Sequence, residues 1–186
     1  MIKDIIIEIS NNFLNLSENS VDDIEKSANL IIESIKNGNK IMFCGNGGSA
    51  ADSQHLAAEL VGRYRKNRSP LPGIALSTDT SAITAISNDF SFEEIFERQV
   101  EAIGKPGDVL YAISTSGKSL NIIKAIEKAN SMKLKTIGIT GETGGQLSKI
   151  CDVTIKVPAI RPDRIQEMHI AIGQIICEII ENKFFH

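Results

Sequence analysis

Apolar residues recur at helical spacing along the first part of the chain. Ile2, Ile6, Ile9, Phe13 and Leu16 follow one another at intervals of four and three. This spacing predicts a helix with one apolar stripe, of the kind that packs against another helix. The stripe therefore needs a partner.

A second helix is predicted from Ser20 to Gly38. Ser20 and Asp23 resemble a capping box, and Gly38 is a typical helix end. Its buried face repeats every three to four positions and consists of Ile24, Ala28, Ile31 and Ile35.

Beyond residue 38 the pattern changes to short apolar runs separated by helical stretches. The runs are "KIMFCG", "GIALST", "DVLYAIST", "KTIGIT" and "VTIKVP". They are nearly continuous, which is typical of parallel strands covered on both faces. Helices are predicted over 49–61, 81–103 with a break near Asn88, 119–130 and 162–182. The alternation predicts an α/β fold with an open, doubly wound parallel sheet.

Composition narrows the class of protein. A length of 186 residues fits one domain over 1–186, and 42% hydrophobic with 23% charged residues is ordinary for a globular protein. A net charge of −3 argues against a nucleic-acid face built on bulk positive charge. No long apolar run or signal peptide is present, and three cysteines without C-x-x-C spacing suit a reducing compartment, so we expect a cytoplasmic protein that does not bind membranes.

Ligands in such folds bind where strands open into loops and helix N-termini. The loop Gly45–Ser49, "GNGGS", suits close backbone approach to an anion. Its pattern also fits the dinucleotide fingerprint, although Asp79 stands about ten residues too late for the usual acidic partner. A tight turn that merely packs is the third reading.

Two other loops carry polar groups. "STSGKS" offers four hydroxyls at a helix N-terminus, which favours one phosphate group held without a metal. "SNDF" at 87–90 is either a polar helix break or a ligand contact. The basic stretch 63–73 is expected to be a connection whose arginines face solvent or an anion.

His55 and Glu59 are four residues apart and share one helix face. They can be a surface pair, and Glu59 can equally pair with Arg63. Beside an anion-binding loop, Glu59 can instead be a general base, or the two residues can hold a divalent metal.

Three segments carry a family resemblance: "CGNGGSAADSQHLAAELVGRY", "NDFSFEEIFERQVEAIGKPGDVLYAISTSGKS" and "RIQEMHIAIGQIICEIIE". Together they resemble the phosphoheptose isomerases of the sugar isomerase (SIS) domain superfamily over about residues 30 to 183. The resemblance implies a flavodoxin-like three-layer αβα sandwich with a five-stranded parallel sheet. It also implies a homotetramer, in which the region 1–38 packs, with active sites between subunits. The implied reaction interconverts sedoheptulose 7-phosphate and D-glycero-D-manno-heptose 7-phosphate for lipopolysaccharide or capsule.

The resemblance also implies roles for individual residues. Glu59 is the base that moves a proton between C1 and C2 through an enediol. The phosphate is expected on Ser114, Thr115, Ser116 and Ser119. The other substrate-binding positions are Asn46, Gly47, Gly48, Ser49, Asn88, Asp89 and Gln166. Zinc-containing members hold the metal with the equivalents of His55, Glu59, Gln166 and one further histidine.

That further histidine, a general acid and zinc ligand in the family, is replaced here by Gln174. Glutamine can hydrogen-bond a hydroxyl but cannot shuttle a proton near neutral pH, and any zinc is expected to be held weakly. Gln166 and Gln174 are about 80° apart around a helix, so both can face one cleft. His169, about 140° from position 174, is expected to be a packed or interface residue. Glu178 is a candidate contributor one turn later.

With a residue other than histidine at position 174, the chain also resembles a second SIS branch, the DnaA initiator-associating proteins. These share the fold and tetramer but bind a partner instead of catalysing isomerisation. Such a protein would bind a protein partner or sense a sugar phosphate. The retained Glu59 and the complete "GNGGSAAD" loop favour the isomerase.

Overall fold

The computed structural model describes residues 1–185. Five strands form one all-parallel sheet in the order β2-β1-β3-β4-β5. Their bounds are β1 Ile41–Gly45, β2 Gly73–Ala75, β3 Val109–Ile113, β4 Lys135–Thr140 and β5 Val153–Lys156. All five predicted apolar runs contain a strand, and the strand order is the flavodoxin-like one.

The helices follow the predicted alternation. Their bounds are α1 Ile2–Asn19, α2 Val21–Lys36, α3 Gly48–Val61, α4 Thr80–Asp89, α5 Ile95–Ile103, α6 Leu120–Ser131, α7 Leu147–Ile150 and α8 Pro162–Phe184. The break predicted near Asn88 is confirmed, because α4 ends at Asp89 and a 3₁₀ turn over Phe92–Glu94 precedes α5. The single turn α7 is not visible in the sequence pattern.

The sheet is buried between two helical layers. Along β1, Ile41 and Phe43 face a core built with α2, α3 and α8, whereas Met42 and Cys44 face a second core built with α5 and α6. Because both faces are covered, every position of β1 is buried, which explains the continuous apolar run. The three-layer αβα sandwich is confirmed.

The N-terminal region contains one wrong prediction. Ser20 precedes α2, but its side chain makes no capping bond; its hydroxyl donates instead to the Lys156 carbonyl at 2.9 Å. In α1 only Leu16 is buried, and Ile2 and Ile6 are 71% and 57% exposed. The apolar stripe is thus largely uncovered within this chain. None of the helices in residues 1–185 has the length and apolar character needed to cross a membrane.

Candidate active site

The candidate site lies where the sheet changes winding direction. β1 leads into α3 on one face, and its neighbour β3 leads into α6 on the other. The two loops therefore diverge at the carboxyl ends of adjacent strands and leave a crevice, the usual ligand position in open α/β sheets.

The β1–α3 loop is shaped by glycine. Gly47 has φ +56°, a conformation that residues with a Cβ rarely adopt. A Cβ on Gly48 would lie 2.7 Å from the Gln166 side-chain oxygen. Glycine thus lets the Gln166 amide of α8 rest directly on the loop. Ser49, predicted to contact substrate, is only 3% exposed at the start of α3.

Asn46 is held by a partner that sequence reasoning missed. Its side-chain amide donates to Asn121 Oδ1 at 2.9 Å, and Asn121 donates back to Asn46 Oδ1 at 2.8 Å. Asn121 is buried in the first turn of α6, so the pair connects the two loops of the crevice. A polar residue on the apolar face of α6 is the one signal that could have indicated it.

The β3–α6 loop brings its hydroxyls together. Ser114 Oγ and Ser119 Oγ are 3.1 Å apart, and Ser116 Oγ accepts the Lys118 amide at 3.1 Å. Ser119 precedes α6 but makes no side-chain capping bond, and the only hydrogen-bond contact of its hydroxyl in residues 1–185 is the Ser114 hydroxyl. Thr115 and Ser116 line a cavity of about 130 Å³ beside the loop. Hydroxyls at a helix N-terminus are well suited to a phosphate.

His55, Glu59 and Gln174 meet at one point between α3 and α8; we name them the His–Glu–Gln cluster. His55 Nε2 lies 3.1 Å from Glu59 Oε1, and the Gln174 amide nitrogen lies 3.1 Å and 3.3 Å from these atoms. His55 is 52% exposed and Glu59 is 20% exposed. The Glu59 carboxylate thus pairs with His55 and Gln174 rather than with Arg63, and its role as a base stays a prediction.

This arrangement can move a proton. The Gln174 amide has two hydrogens, enough to donate one to Glu59 and one to the His55 ring nitrogen. The facing atoms of His55 and Glu59 are both proton acceptors when unprotonated, and at 3.1 Å one proton can be shared between them. Gln174 orients the pair without changing its own protonation state.

The same atoms test the fit of zinc. Separations of 3.1 to 3.3 Å are close to those between ligands about 2 Å from one metal ion. However, catalytic zinc sites usually have three histidine, cysteine or carboxylate ligands, and no group of three such residues converges anywhere in residues 1–185. The two strong donors and the amides of Gln166 and Gln174 do not compose a zinc site of the usual kind.

Asp52, one turn before His55, adds a half-buried carboxyl group that the sequence analysis did not single out. Burial raises its pKa above the usual value, and nearby His55 partly opposes this. Its Oδ2 atom is buried and has no hydrogen-bond partner in the described chain.

Asn88 and Asp89 are the last two residues of α4. Both are exposed at the end of α4, where the Asn88 amide donates to Asp89 Oδ1 at 2.8 Å. In residues 1–185 no side-chain hydrogen bond joins them to the other predicted site residues. Their contact with substrate stays a prediction.

The remaining candidates lie outside the His–Glu–Gln cluster. His169 is 1% exposed, as expected for a packed residue, and burial lowers its pKa to about 4. Glu178 pairs with Arg65 at 2.6 Å rather than with Gln174. Asp79 caps α4 by accepting the Ala82 amide at 2.9 Å, which removes the acid that the dinucleotide reading needed.

The prediction that the arginines of 63–73 face solvent or an anion is wrong for Arg68. Its side chain is 1% exposed and pairs with Glu181 of α8 at 2.9 Å. The acidic partner lies 113 residues away, so local sequence carries no sign of the pair.

Comparisons with known proteins agree with this geometry. A family model described as the SIS domain matches residues 6–141. The phosphoheptose isomerase of Aliarcobacter butzleri is 54% identical over 88% of this chain and 86% of its own length. That of Akkermansia muciniphila is 48% identical over 99% and 97%. A solved phosphoheptose isomerase from Neisseria gonorrhoeae superposes with a TM-score of 0.92 at 40% identity, covering 97% of both chains. One from Francisella tularensis gives 0.94 at 34% identity, covering 97% of this chain and 96% of its own.

Proposed function

The chain belongs to the phosphoheptose isomerases of the SIS domain family, and we propose that it interconverts sedoheptulose 7-phosphate and D-glycero-D-manno-heptose 7-phosphate. The observation that carries this proposal is the His–Glu–Gln cluster on α3 and α8, together with two loops at the start of α3 and α6 that are suited to an anion. An aldose–ketose isomerase needs a base at the reacting carbons and a phosphate site at a distance. The crevice offers both.

Glu59 is the base. Starting from the ketose, Glu59 takes a proton from C1 while the carbonyl oxygen at C2 gains one, which gives the enediol. The enediol then receives a proton at C2 and loses the O1 hydroxyl proton to form the aldehyde. The carboxylate fits this role because it is only 20% exposed and held by His55 and Gln174.

The proton that moves between the two oxygens needs a second group. Gln174 cannot supply or accept it, because an amide does not titrate near neutral pH. His55 can, and its Nε2 atom is 3.1 Å from Glu59 Oε1. We assign the O2 and O1 proton transfers to His55, oriented by Gln174.

The other substrate contacts follow from the loops. The phosphate is expected on Ser114, Thr115, Ser116 and Ser119, and the sugar against Asn46, Gly47, Gly48, Ser49 and Gln166. Zinc is expected to bind weakly here, for want of a third strong ligand.

The protein is proposed to work as a cytoplasmic homotetramer that supplies lipopolysaccharide or capsule synthesis. The exposed apolar face of α1 supports the assembly. Asn88 and Asp89, exposed at the end of α4, are proposed to contact the sugar phosphate.

The test is conversion of sedoheptulose 7-phosphate by the wild type, Glu59→Gln and Glu178→Gln. Glu59→Gln is expected to lower kcat about 10³-fold, because it removes the base. Glu178→Gln is the matched control and should retain wild-type turnover, since Glu178 pairs with Arg65.

Absence of turnover in the wild type, with the sugar phosphate still bound, would contradict the isomerase. It would favour the non-catalytic SIS protein, for which Gln174 is the supporting observation.

A further inference from the structure

A buried ion pair lies two helical turns from the His–Glu–Gln cluster. Arg68 Nε donates to Glu181 Oε2 at 2.9 Å, and the two side chains are 1% and 3% exposed. We name these two residues the Arg–Glu clasp. Buried charges are costly unless every polar atom has a partner, so the other bonds of the pair show what it holds.

Two further bonds of Arg68 go to the end of α3, and a third goes to the Ser69 carbonyl at 3.0 Å. Nη2 donates to the Glu59 carbonyl at 2.7 Å, and Nη1 donates to the Leu60 carbonyl at 2.9 Å. The last carbonyls of a helix lack partners within the helix, and a cation there is favourable. Arg68 therefore caps α3 at the peptide group of the proposed base itself.

Glu181 connects Arg68, and thereby the end of α3, to α8. Its Oε1 atom accepts the amides of Arg65 and Lys66 at 3.0 and 2.9 Å. Burial raises the pKa of Glu181, but the donors from Lys66, Arg68 and Arg65 outweigh it and hold the pKa below its usual value. The carboxylate is thus charged and fully bonded.

α8 presents Gln174 and Glu181 on nearly the same face, because seven residues are about two turns. α3 and α8 are also packed closely next to Gln174, where a Cβ on Gly173 would lie 2.5 Å from Leu56. The clasp therefore fixes how far α3 is displaced along α8. That displacement sets the distance between Glu59 and Gln174.

We infer that Arg68 and Glu181 are positioning residues for proton transfer, which hold Glu59 in register with Gln174. This inference rests on the proposed isomerase function. A misplacement of about 1 Å can lower a rate about 100-fold, so a small slip of α3 is expected to reduce kcat more than substrate binding.

The main test compares the wild type with the double variant Arg68→Met/Glu181→Met. Replacing both charges by apolar groups of similar length leaves no unpaired buried charge, so folding is expected to persist. We expect kcat to fall about tenfold or more with KM changed less than about threefold. Arg65→Met, which removes the exposed pair with Glu178 and the contact with the Tyr64 ring but leaves the Arg65 amide bond to Glu181, is the control and should leave both constants unchanged.

Arg68→Lys in the wild-type background should restore part of kcat relative to Arg68→Met, because lysine can still donate to a carbonyl of α3. Amide hydrogen exchange should quicken at residues 59–62 in the double variant but not at 48–52. If the double variant does not fold, Glu181→Gln takes its place, with the same expected division between kcat and KM.

A folded variant with wild-type kcat and wild-type exchange at 59–62 would overturn the inference, whereas a wild type without turnover would overturn the proposed function. Faster exchange at 59–62 with unchanged kcat would also overturn it, since the clasp would then be structural only.

Discussion

Two polar clusters join the same pair of helices, α3 and α8, and they differ in how completely their donors and acceptors are used. The Arg–Glu clasp is almost fully buried, and both carboxylate oxygens of Glu181 accept hydrogen bonds. The His–Glu–Gln cluster is partly open, because His55 is half exposed. Its three polar atoms make three mutual contacts, but the Gln174 amide supplies hydrogens for only two of them.

This difference suggests that the two clusters have different roles: the Arg–Glu clasp positions the helices, and the His–Glu–Gln cluster transfers protons. A buried ion pair whose polar atoms are all bonded is poorly suited to exchanging protons with substrate or solvent. Neutralising one partner alone would leave the other buried charge unpaired. An open cluster with a spare acceptor can take up and release protons as substrate passes. We therefore expect changes in the open site to alter turnover, and changes to fully buried groups to act on stability or position.

The largest effect among the loop residues is expected for Ser116→Ala/Ser119→Ala. Each hydroxyl is proposed to hydrogen-bond a charged phosphate, a contact whose loss costs about 1.5 kcal/mol or more, so kcat/KM should fall about 100-fold. The variant also removes the contacts of these hydroxyls with Ser114 and the Lys118 amide, so urea unfolding is measured beside the kinetics to separate a loss of stability from a loss of phosphate binding. Steady-state kinetics with the sugar phosphate checks this.

Ser131→Ala, at the other end of α6, is the matched control; its hydroxyl contacts only the Lys128 carbonyl. A double variant as active as this control would place the phosphate elsewhere.

The sequence predicts much of the fold and of the open cluster, but it does not predict the buried Arg–Glu clasp. The strands, the helix break near Asn88 and the His55–Glu59 face follow from spacing, which reports local structure. The partners of Arg68 and Asn46 lie 113 and 75 residues away, where only the folded chain brings them together. Ser20 shows the converse: a local capping pattern was overridden by the distant Lys156 carbonyl.

A smaller effect is expected for Gln174→His, which sharpens the difference between the clusters by adding a titratable group to the open one. Zinc affinity should rise about tenfold or more, because imidazole is a stronger zinc ligand than an amide. Calorimetric titration of zinc checks this directly, and turnover is expected to rise about tenfold because a second titratable group joins His55. Gln166→His, at the other amide near the loop, is the comparison variant, and equal gains in both would contradict a special role for position 174.

The smallest effect on turnover is expected for His169→Phe. This variant changes a fully buried group that belongs to neither cluster, so it tests whether such groups act on stability rather than on turnover. Neither ring nitrogen of His169 makes a hydrogen bond within residues 1–185, and its pKa is lowered to about 4 from an unfolded value near 6.5. Below pH 6.5 the unfolded chain therefore binds a proton that the native chain does not. The wild type should lose stability as the pH falls from 6.5 to 4, by up to about 3 kcal/mol in total.

His169→Phe removes that proton uptake, so its free energy of unfolding should depend less on pH over this window, while kcat at pH 7.5 stays at the wild-type value. Urea unfolding at several pH values and one protein concentration measures the first, and His55→Phe, which replaces a half-exposed ring instead of a buried one, is the control. A contrary result would be that both variants keep the wild-type pH dependence of unfolding while His169→Phe lowers kcat. Buried His169 would then act on turnover and not on stability, against the roles expected for buried and open groups.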